Sequence, residues 1–181
     1  HSDARNIHFS DPKNNLGFRI IAEKAASKNW IESADDFSAR RINLGIVQLG
    51  EDFTSDNLFP HDIGMDLLDG IDFSKGCYVG QEVVSRMRHR GNTRKRPVIV
   101  TFNEADQSAI NSETIESCKE ILLDGKKIGN VGRIVDGKAV AIARLDRLSA
   151  ATAKSAQIGG LSVTLATPSW ASYDFTLDSE K

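Results

Sequence analysis

Cysteine is scarce in this chain: Cys77 and Cys118 are the only two among 181 residues. They form no CxxC pair and no disulfide framework, which points to a reducing compartment. No His/Cys group has the spacing of a closed zinc site. Long hydrophobic runs are also lacking. Ala139-Val-Ala-Ile-Ala143 is among the longest, far short of a membrane span. The opening His1-Ser-Asp-Ala-Arg-Asn is polar, and no apolar core of a secretory signal follows it. There is no internal repeat and no low-complexity tract. Neither sign of charge dominates: 23 Lys/Arg against 25 Asp/Glu leave −2, so global charge predicts no polyanion binding. What is present, 40% apolar and 27% charged residues, suits one ordinary domain or two small ones with a packed core.

The chain divides by periodicity. His1 to Asn15 is polar and without strong pattern, and Gly17 to Ala22 reads as a strand that needs neighbours. Ser33-Ala-Asp-Asp36 resembles a capping box, because the Ser hydroxyl can accept the N–H three residues on. It opens a short amphipathic helix with Phe37, Ile42 and Leu44 that ends near Gly45. Gly50 to Pro60 reads as a surface loop. Val79, Val83, Val84 and Met87 recur at helical spacing, with Gly91 as the stop. After Asn92 the period changes from 3.6 to 2. Strands are predicted over Arg96–Phe102, Glu120–Leu123, Lys127–Val135, Ala139–Leu145 and Ser162–Ala166. Asp124-Gly125 and Asp136-Gly137 are strong hairpin signals. The stretch from about Thr93 to Thr167 therefore reads as a small antiparallel barrel or sandwich, and Asp174 to Lys181 as a frayed end.

The segment that carries chemistry is Lys75-Gly-Cys-Tyr-Val-Gly-Gln-Glu82. A helix starting just after Cys77 sets free N–H groups and the positive dipole end near its sulfur. Lys75 adds a second cation, and both favour a thiolate, the form that acts as nucleophile or metal ligand. Gly76 and Gly80 leave room for a planar ligand or a partner, and Gln81 and Glu82 offer groups suited to an N–H-rich heterocycle. From the residues alone, a buried structural cysteine at a helix start is an equal reading. Cys118 has no supporting pattern. His61 reads as a turn or cap residue and His89 as solvated or phosphate-facing. Lys75 to Arg96 carries a local charge of +6. That run reads as a solvated face, as a site for an anion such as a polyglutamyl folate tail or an acidic partner, or as a nucleic-acid contact. Aromatics for base stacking are sparse near it, so nucleic acid is disfavoured.

KGCYVGQE, with Arg86-x-Arg88-His-Arg90-Gly91 behind it, closely resembles the signature of the YgfZ-type folate-binding proteins. These are relatives of the glycine-cleavage T-protein and include a mitochondrial branch used in iron–sulfur maturation. Asp11-Pro-Lys with Leu16-Gly-Phe-Arg, Ala39-Arg-Arg-Ile-Asn-Leu-Gly45, Phe59-Pro-His and Gly70-Ile-Asp-Phe-Ser fit the same family, so the resemblance covers roughly Asp11 to Thr167. Two departures stand out. The family's N-terminal region, which carries the aminomethyltransferase's catalytic aspartate, is absent, so the chain is expected to be a C-terminal portion. And where many relatives place a pterin-recognising glutamate, this chain has Asn43, which offers one good acceptor and a donor instead of a charged pair of acceptors.

The resemblance implies an α+β fold. An antiparallel-sheet-plus-helix, folate-binding-like portion over 1–92 is followed by a small C-terminal antiparallel β-barrel over 93–181. It implies an accessory factor for assembly or repair of iron–sulfur clusters, with reduced folate (tetrahydrofolate or a derivative) as ligand, a transient iron–sulfur cluster, and iron–sulfur carrier or client proteins as partners. Cys77 is the expected reactive group and Lys75 its tuner. Asn43, Tyr78, Gly80, Gln81 and Glu82 are expected to contact ligand, and Arg88 and Arg90 to serve an anion. No membrane role is expected. The compartment is read as cytoplasm, with the mitochondrial matrix as alternative. A folate-dependent aminomethyltransferase is the rival reading, disfavoured by the missing aspartate. An RNA- or phosphate-binding module is the third.

Overall fold

The structure is a computed structural model, and it describes residues 7–10, 16–22, 33–55, 58–91, 93–103, 118–149 and 156–175. The Asp11-Pro-Lys motif and the tail from 176 onward lie outside these. Two short strands, β1 (Ile7–Ser10) and β2 (Phe18–Ile21), pair antiparallel. The sequence pattern placed the second and not the first, whose polar His8 and Ser10 mask it. Helix α1 (Ala34–Asn43) follows. The Ser33 hydroxyl accepts the Asp36 N–H at 3.2 Å, and acids fill the first turn and arginines the last, as the macrodipole favours. A 3-10 turn spans Pro60–Ile63, and helix α2 spans Gln81–Arg90.

Six strands then close a barrel: β3 (Lys95–Phe102), β4 (Glu120–Leu123), β5 (Lys126–Val135), β6 (Lys138–Arg144), β7 (Ala156–Ile158) and β8 (Leu161–Ala166). Around the barrel the order is β3-β6-β5-β4-β7-β8, with every pairing antiparallel. The fold is α+β with a C-terminal barrel, as expected. Asp124-Gly125 and Asp136-Gly137 have positive φ at both positions, the type I′ geometry that matches strand twist. Gly159-Gly160 makes a third such turn and brings in β7, a strand too short to show period 2. One turn of helix, α3 (Leu145–Leu148), leaves the end of β6.

The barrel interior holds Val98, Val100 and Phe102 of β3, Ala139, Ala141 and Ala143 of β6, and Ile121, Ile128, Ile158 and Val163 from the remaining strands. Large residues on one strand face alanines on its neighbour, which lets the layers interlock. Val140 is buried as well. It alternates with the interior alanines, so it faces outward beneath α1, which packs on β6 and β5. That explains the unbroken apolar run of β6. Phe175 is only 7% exposed and joins the core. Burial of its ring therefore corrects the reading of the chain as frayed from Asp174.

A polar network fastens α1 to the barrel. Arg41 is 2% exposed, and its guanidinium donates to the Asp52 carboxylate, to the Ile46 carbonyl at 2.6 Å and to Glu51 at 2.9 Å. The Asp52 side chain is wholly buried and also accepts the backbone N–H groups of Gln48 at 2.8 Å and Arg133 at 3.1 Å. The Gly50–Pro60 stretch is thus not merely a surface loop: it inserts a carboxylate between α1 and β5. Burial pushes the Asp52 carboxyl above its ordinary range, against the opposing pull of the Gln48 N–H and Arg41. Gly132 is required beneath it, since a Cβ there would lie 2.1 Å from Asp52 Oδ1.

Candidate functional site

The 3-10 turn and the barrel wall support the motif segment. The Phe59 N–H donates to Asp62 at 3.0 Å, and Gly64 closes the turn with φ 78. Arg96 of β3 donates to both carboxylate oxygens of Asp66, at 2.6 and 2.9 Å, and to the His61 carbonyl at 2.7 Å. The C-terminal segment straps the same region. Trp170 donates its indole N–H to the Leu44 carbonyl at 2.7 Å, and Tyr173 its hydroxyl to the Pro97 carbonyl at 2.7 Å. Burial raises the Tyr173 hydroxyl pKa. His61 is 2% exposed, neither ring nitrogen has a protein partner, and burial lowers its pKa. Its expected place in a turn is correct, and its burial is new.

Beyond this platform the chain turns outward. Asp72 Oδ1 accepts from the backbone N–H and hydroxyl of Ser74, at 2.8 and 2.7 Å, and from the Lys75 N–H at 3.2 Å. Those bonds, the Ser74 hydroxyl first, hold the Asp72 carboxyl below its usual range. The loop then runs exposed through Lys75, Gly76 and Cys77. Val79 is fully exposed, at 104%. It was expected on the apolar face of a helix but precedes it, because Gly80 at φ 90 caps a helix that begins at Gln81. The expectation that the helix starts just after Cys77 is corrected in the same way, and the sulfur lies ahead of the first turn, where dipole effects decay quickly. Of the apolar set, Val84 is buried and Val83 and Met87 are half-buried.

The structure brings some expected site residues together and separates others. Lys75 sits with its ammonium 4.7 Å from the centre of the Tyr78 ring. Arg88 stacks its guanidinium 4.0 Å from the centre of the Phe73 ring, which in turn meets His61. Arg88 is thus tied to an aromatic platform. Gln81 and Glu82 occupy the first turn of α2, with Glu82 exposed. Arg90 ends the helix, and its side chain lies outside the described residues. Cys118 precedes β4, and His89 is exposed. Asn43 keeps other company: its amide oxygen accepts from Lys138 of β6 at 2.8 Å. It lines an open groove with Leu16, Asp36, Phe37, Arg40 and Leu44. Asp36, Arg40 and Asn43 share one face of α1 at i, i+4 and i+7. Apolar walls edged by acceptors and a donor fit a flat, N–H-rich ring.

Sequence reasoning missed Arg41, Asp52 and Gly132, and the Trp170–Tyr173 strap. Arg41 lies beside Ile42 and three residues after buried Ser38, and that helical phase was the available signal. Nothing in the local sequence marks Asp52 as buried.

Comparison with known proteins agrees with this architecture. Residues 94–173 match the family described as CAF17, C-terminal beta-barrel domain. The iron-sulfur cluster assembly factor IBA57 homolog, mitochondrial, of Dictyostelium discoideum is 35% identical over 118 residues, covering 62% of this chain and 29% of that protein. The protein of the same description from Neurospora crassa is 36% identical over 97 residues, covering 50% and 22%. That from Aspergillus oryzae is 40% identical over 76 residues, covering 42% and 17%. The chain thus spans less than a third of the length of these curated relatives. The barrel is thus similar to the C-terminal barrel domain of the CAF17 family, and more than half of the chain is similar to part of an iron–sulfur cluster assembly factor homolog.

Proposed function

We propose that this chain is the thiol-presenting portion of an iron–sulfur cluster assembly factor, and that Cys77 is the group it presents. The observation that carries this reading is the exposed loop from Asp72 to Gly80. It holds Cys77 and a fully exposed Val79 out from a braced platform. Solvent exposure fits a sulfur that meets something outside the chain and not one that fills a core. A deprotonated Cys77 supplies one thiolate to iron. Cluster iron atoms take more ligands than one sulfur provides, and Cys118 lies elsewhere, ahead of β4. The cluster is therefore cargo shared with a carrier or client protein, which supplies the remaining ligands and meets Val79 at the loop tip. Lys75 and Tyr78 shape the loop beside the sulfur through their cation–π contact.

Reduced folate is the ligand proposed for the groove on α1. When bound, it supplies one-carbon and redox chemistry of its own. The chain's part is to hold it: Phe37 and Leu16 against a ring face, Asp36 and Asn43 at its N–H edge, and Arg40 toward an acidic group. The relatives carry "mitochondrial" in their names, which favours the mitochondrial matrix over the cytoplasm as the compartment proposed here.

Two experiments test these readings separately. In cells whose only copy of the whole protein carries Cys77→Ala, activity of a cluster-dependent enzyme is expected to fall to the level of cells lacking the protein, while Cys118→Ala retains it. Full activity with Cys77→Ala removes the central reading. For the folate, calorimetric titration of tetrahydrofolate into the whole protein is expected to show binding that Asn43→Glu strengthens. No binding by either form removes the ligand and leaves the thiol reading intact.

A further inference from the structure

A second concave site lies between the 50s loop and the barrel. It is a cleft of about 360 Å3, within the size range of small-molecule sites. One wall is apolar, with Phe53, Leu58, Ile128 and Ile142. The lining also gathers four cations from four elements, Lys95 of β3, Lys127 of β5, Arg144 of β6 and Arg147 of α3. Asp52 is the one carboxylate in the lining, and its oxygens are turned to Arg41, Gln48 and Arg133. The cations reach the cleft by register. β3 and β6 set Lys95 directly opposite Arg144, a like-charged pairing that a ladder ordinarily disfavours. A bulge between Ile121 and Leu122 shifts the β4–β5 register beside Lys127 and re-aims its neighbours. Gly129 leaves the floor bare, because a Cβ there would meet the Ile142 carbonyl oxygen at 2.5 Å.

We propose that this cleft binds a small dianion on an apolar body, a phosphate monoester or a dicarboxylate. Two of these cations have carboxylate partners that are not part of the lining. Glu120 takes Lys127 at 2.7 Å, and Asp146 takes Arg144 at 2.6 Å. The Lys127 pair is an exposed surface pair of a class that contributes little, whereas Asp146 holds Arg144 through two bonds, at 3.1 and 2.6 Å, and must be displaced by a ligand that takes that fork. Arg147 donates to the Lys127 carbonyl, which fixes its fork at the rim. A guanidinium group suits planar recognition of a carboxylate or phosphate, and a ligand would engage Arg144 in exchange for Asp146 and Arg147 through the donors not given to the Lys127 carbonyl. Asn130 and Thr54 add neutral polar groups, and Phe53 and Ile142 take the apolar body. The site is independent of the Cys77 loop, and only Lys95 of the basic run from Lys75 to Arg96 contributes to it.

The test is a titration of the chain, followed by backbone amide NMR, with inorganic phosphate, phenyl phosphate and phenylsuccinate. Phenyl phosphate or phenylsuccinate is expected to shift the amides of Thr54, Lys127 and Asn130, more tightly than inorganic phosphate and less tightly as salt rises. A lead for the first assigns a phosphate monoester, and a lead for the second a dicarboxylate. Arg147→Gln and Lys127→Gln are each expected to weaken binding about tenfold, the loss typical of one charge-assisted hydrogen bond, with unchanged unfolding midpoints. Arg86→Gln, in the basic run, is expected to leave binding unchanged. The proposal is overturned if no probe shifts the cleft amides, if Lys127→Gln and Arg147→Gln bind as the parent does, or if Arg86→Gln is the variant that weakens binding.

Discussion

The junction between α1 and the barrel and the loop that carries Cys77 are built on opposite terms. At the junction, glycine is demanded from within: a Cβ on Gly132 would strike Asp52, and one on Gly45 would lie 2.5 Å from Pro168. In the loop, a Cβ on Gly76 would meet nothing within 4 Å, and Gly76 is not among the glycines with positive φ. Neither space nor backbone among the described residues asks for glycine there. The first region is shaped by the chain's own packing, and the second is the loop that the proposed function turns toward a partner.

The largest expected effect lies at the junction. Asp52→Ala leaves the Arg41 guanidinium buried without its main partner, and breaking a buried pair from one side typically costs about 3–5 kcal/mol. Urea unfolding reads this directly, and a loss under about 1 kcal/mol would show that the network does not fasten α1 to the barrel. Gly132→Ala is expected to cost about 1–3 kcal/mol by overpacking, since Asp52 and its bonds must shift. Its unfolding midpoint should fall with an unchanged denaturant slope.

A smaller effect concerns pH. The His61 pKa is lowered by burial, with Asp66 and Asp62 pulling it up and Arg96 pushing it down. Above the unfolded value of about 6.5 the ring is neutral in both states, and its burial adds no pH dependence. As pH falls below 6.5 toward the depressed folded value, the unfolded state takes up the proton first, so stability declines. Asp52 and Asp62, both raised by burial, act in the opposite sense at lower pH, where the folded state protonates first. His61→Phe should remove the decline just below pH 6.5 while holding stability level, since it exchanges an unpartnered ring for an apolar one of similar shape. An unchanged slope would mean that other groups set it.

The barrel was legible because its signals are local. Two Asp-Gly turns with positive φ and period-2 runs fixed five of six strands to within one residue at each end. The sixth, β7, was too short to show any pattern. The cap at Ser33 and the stop at Gly91 were legible for the same reason. The site was less so. The motif was visible as a string, but Gly80 delays the helix to Gln81, which moves Val79 into solvent and Cys77 away from the helix end. The burial of Arg41, Asp52 and His61 comes from contacts made across long stretches of sequence, such as Asp52 with Arg133, and no local pattern encodes those. The cationic cleft is of the same kind, one cation per element joined only by register.

The smallest expected effect on stability is also the most informative. Gly76→Ala, measured both for unfolding free energy and for cluster-dependent enzyme activity in cells relying on the variant whole protein, tests directly whether the loop faces a partner. A partner-facing loop predicts stability within about 0.5 kcal/mol of the parent together with a clear loss of activity, because the added methyl meets only what binds from outside. Unchanged activity, or activity that falls only in step with stability, would contradict it.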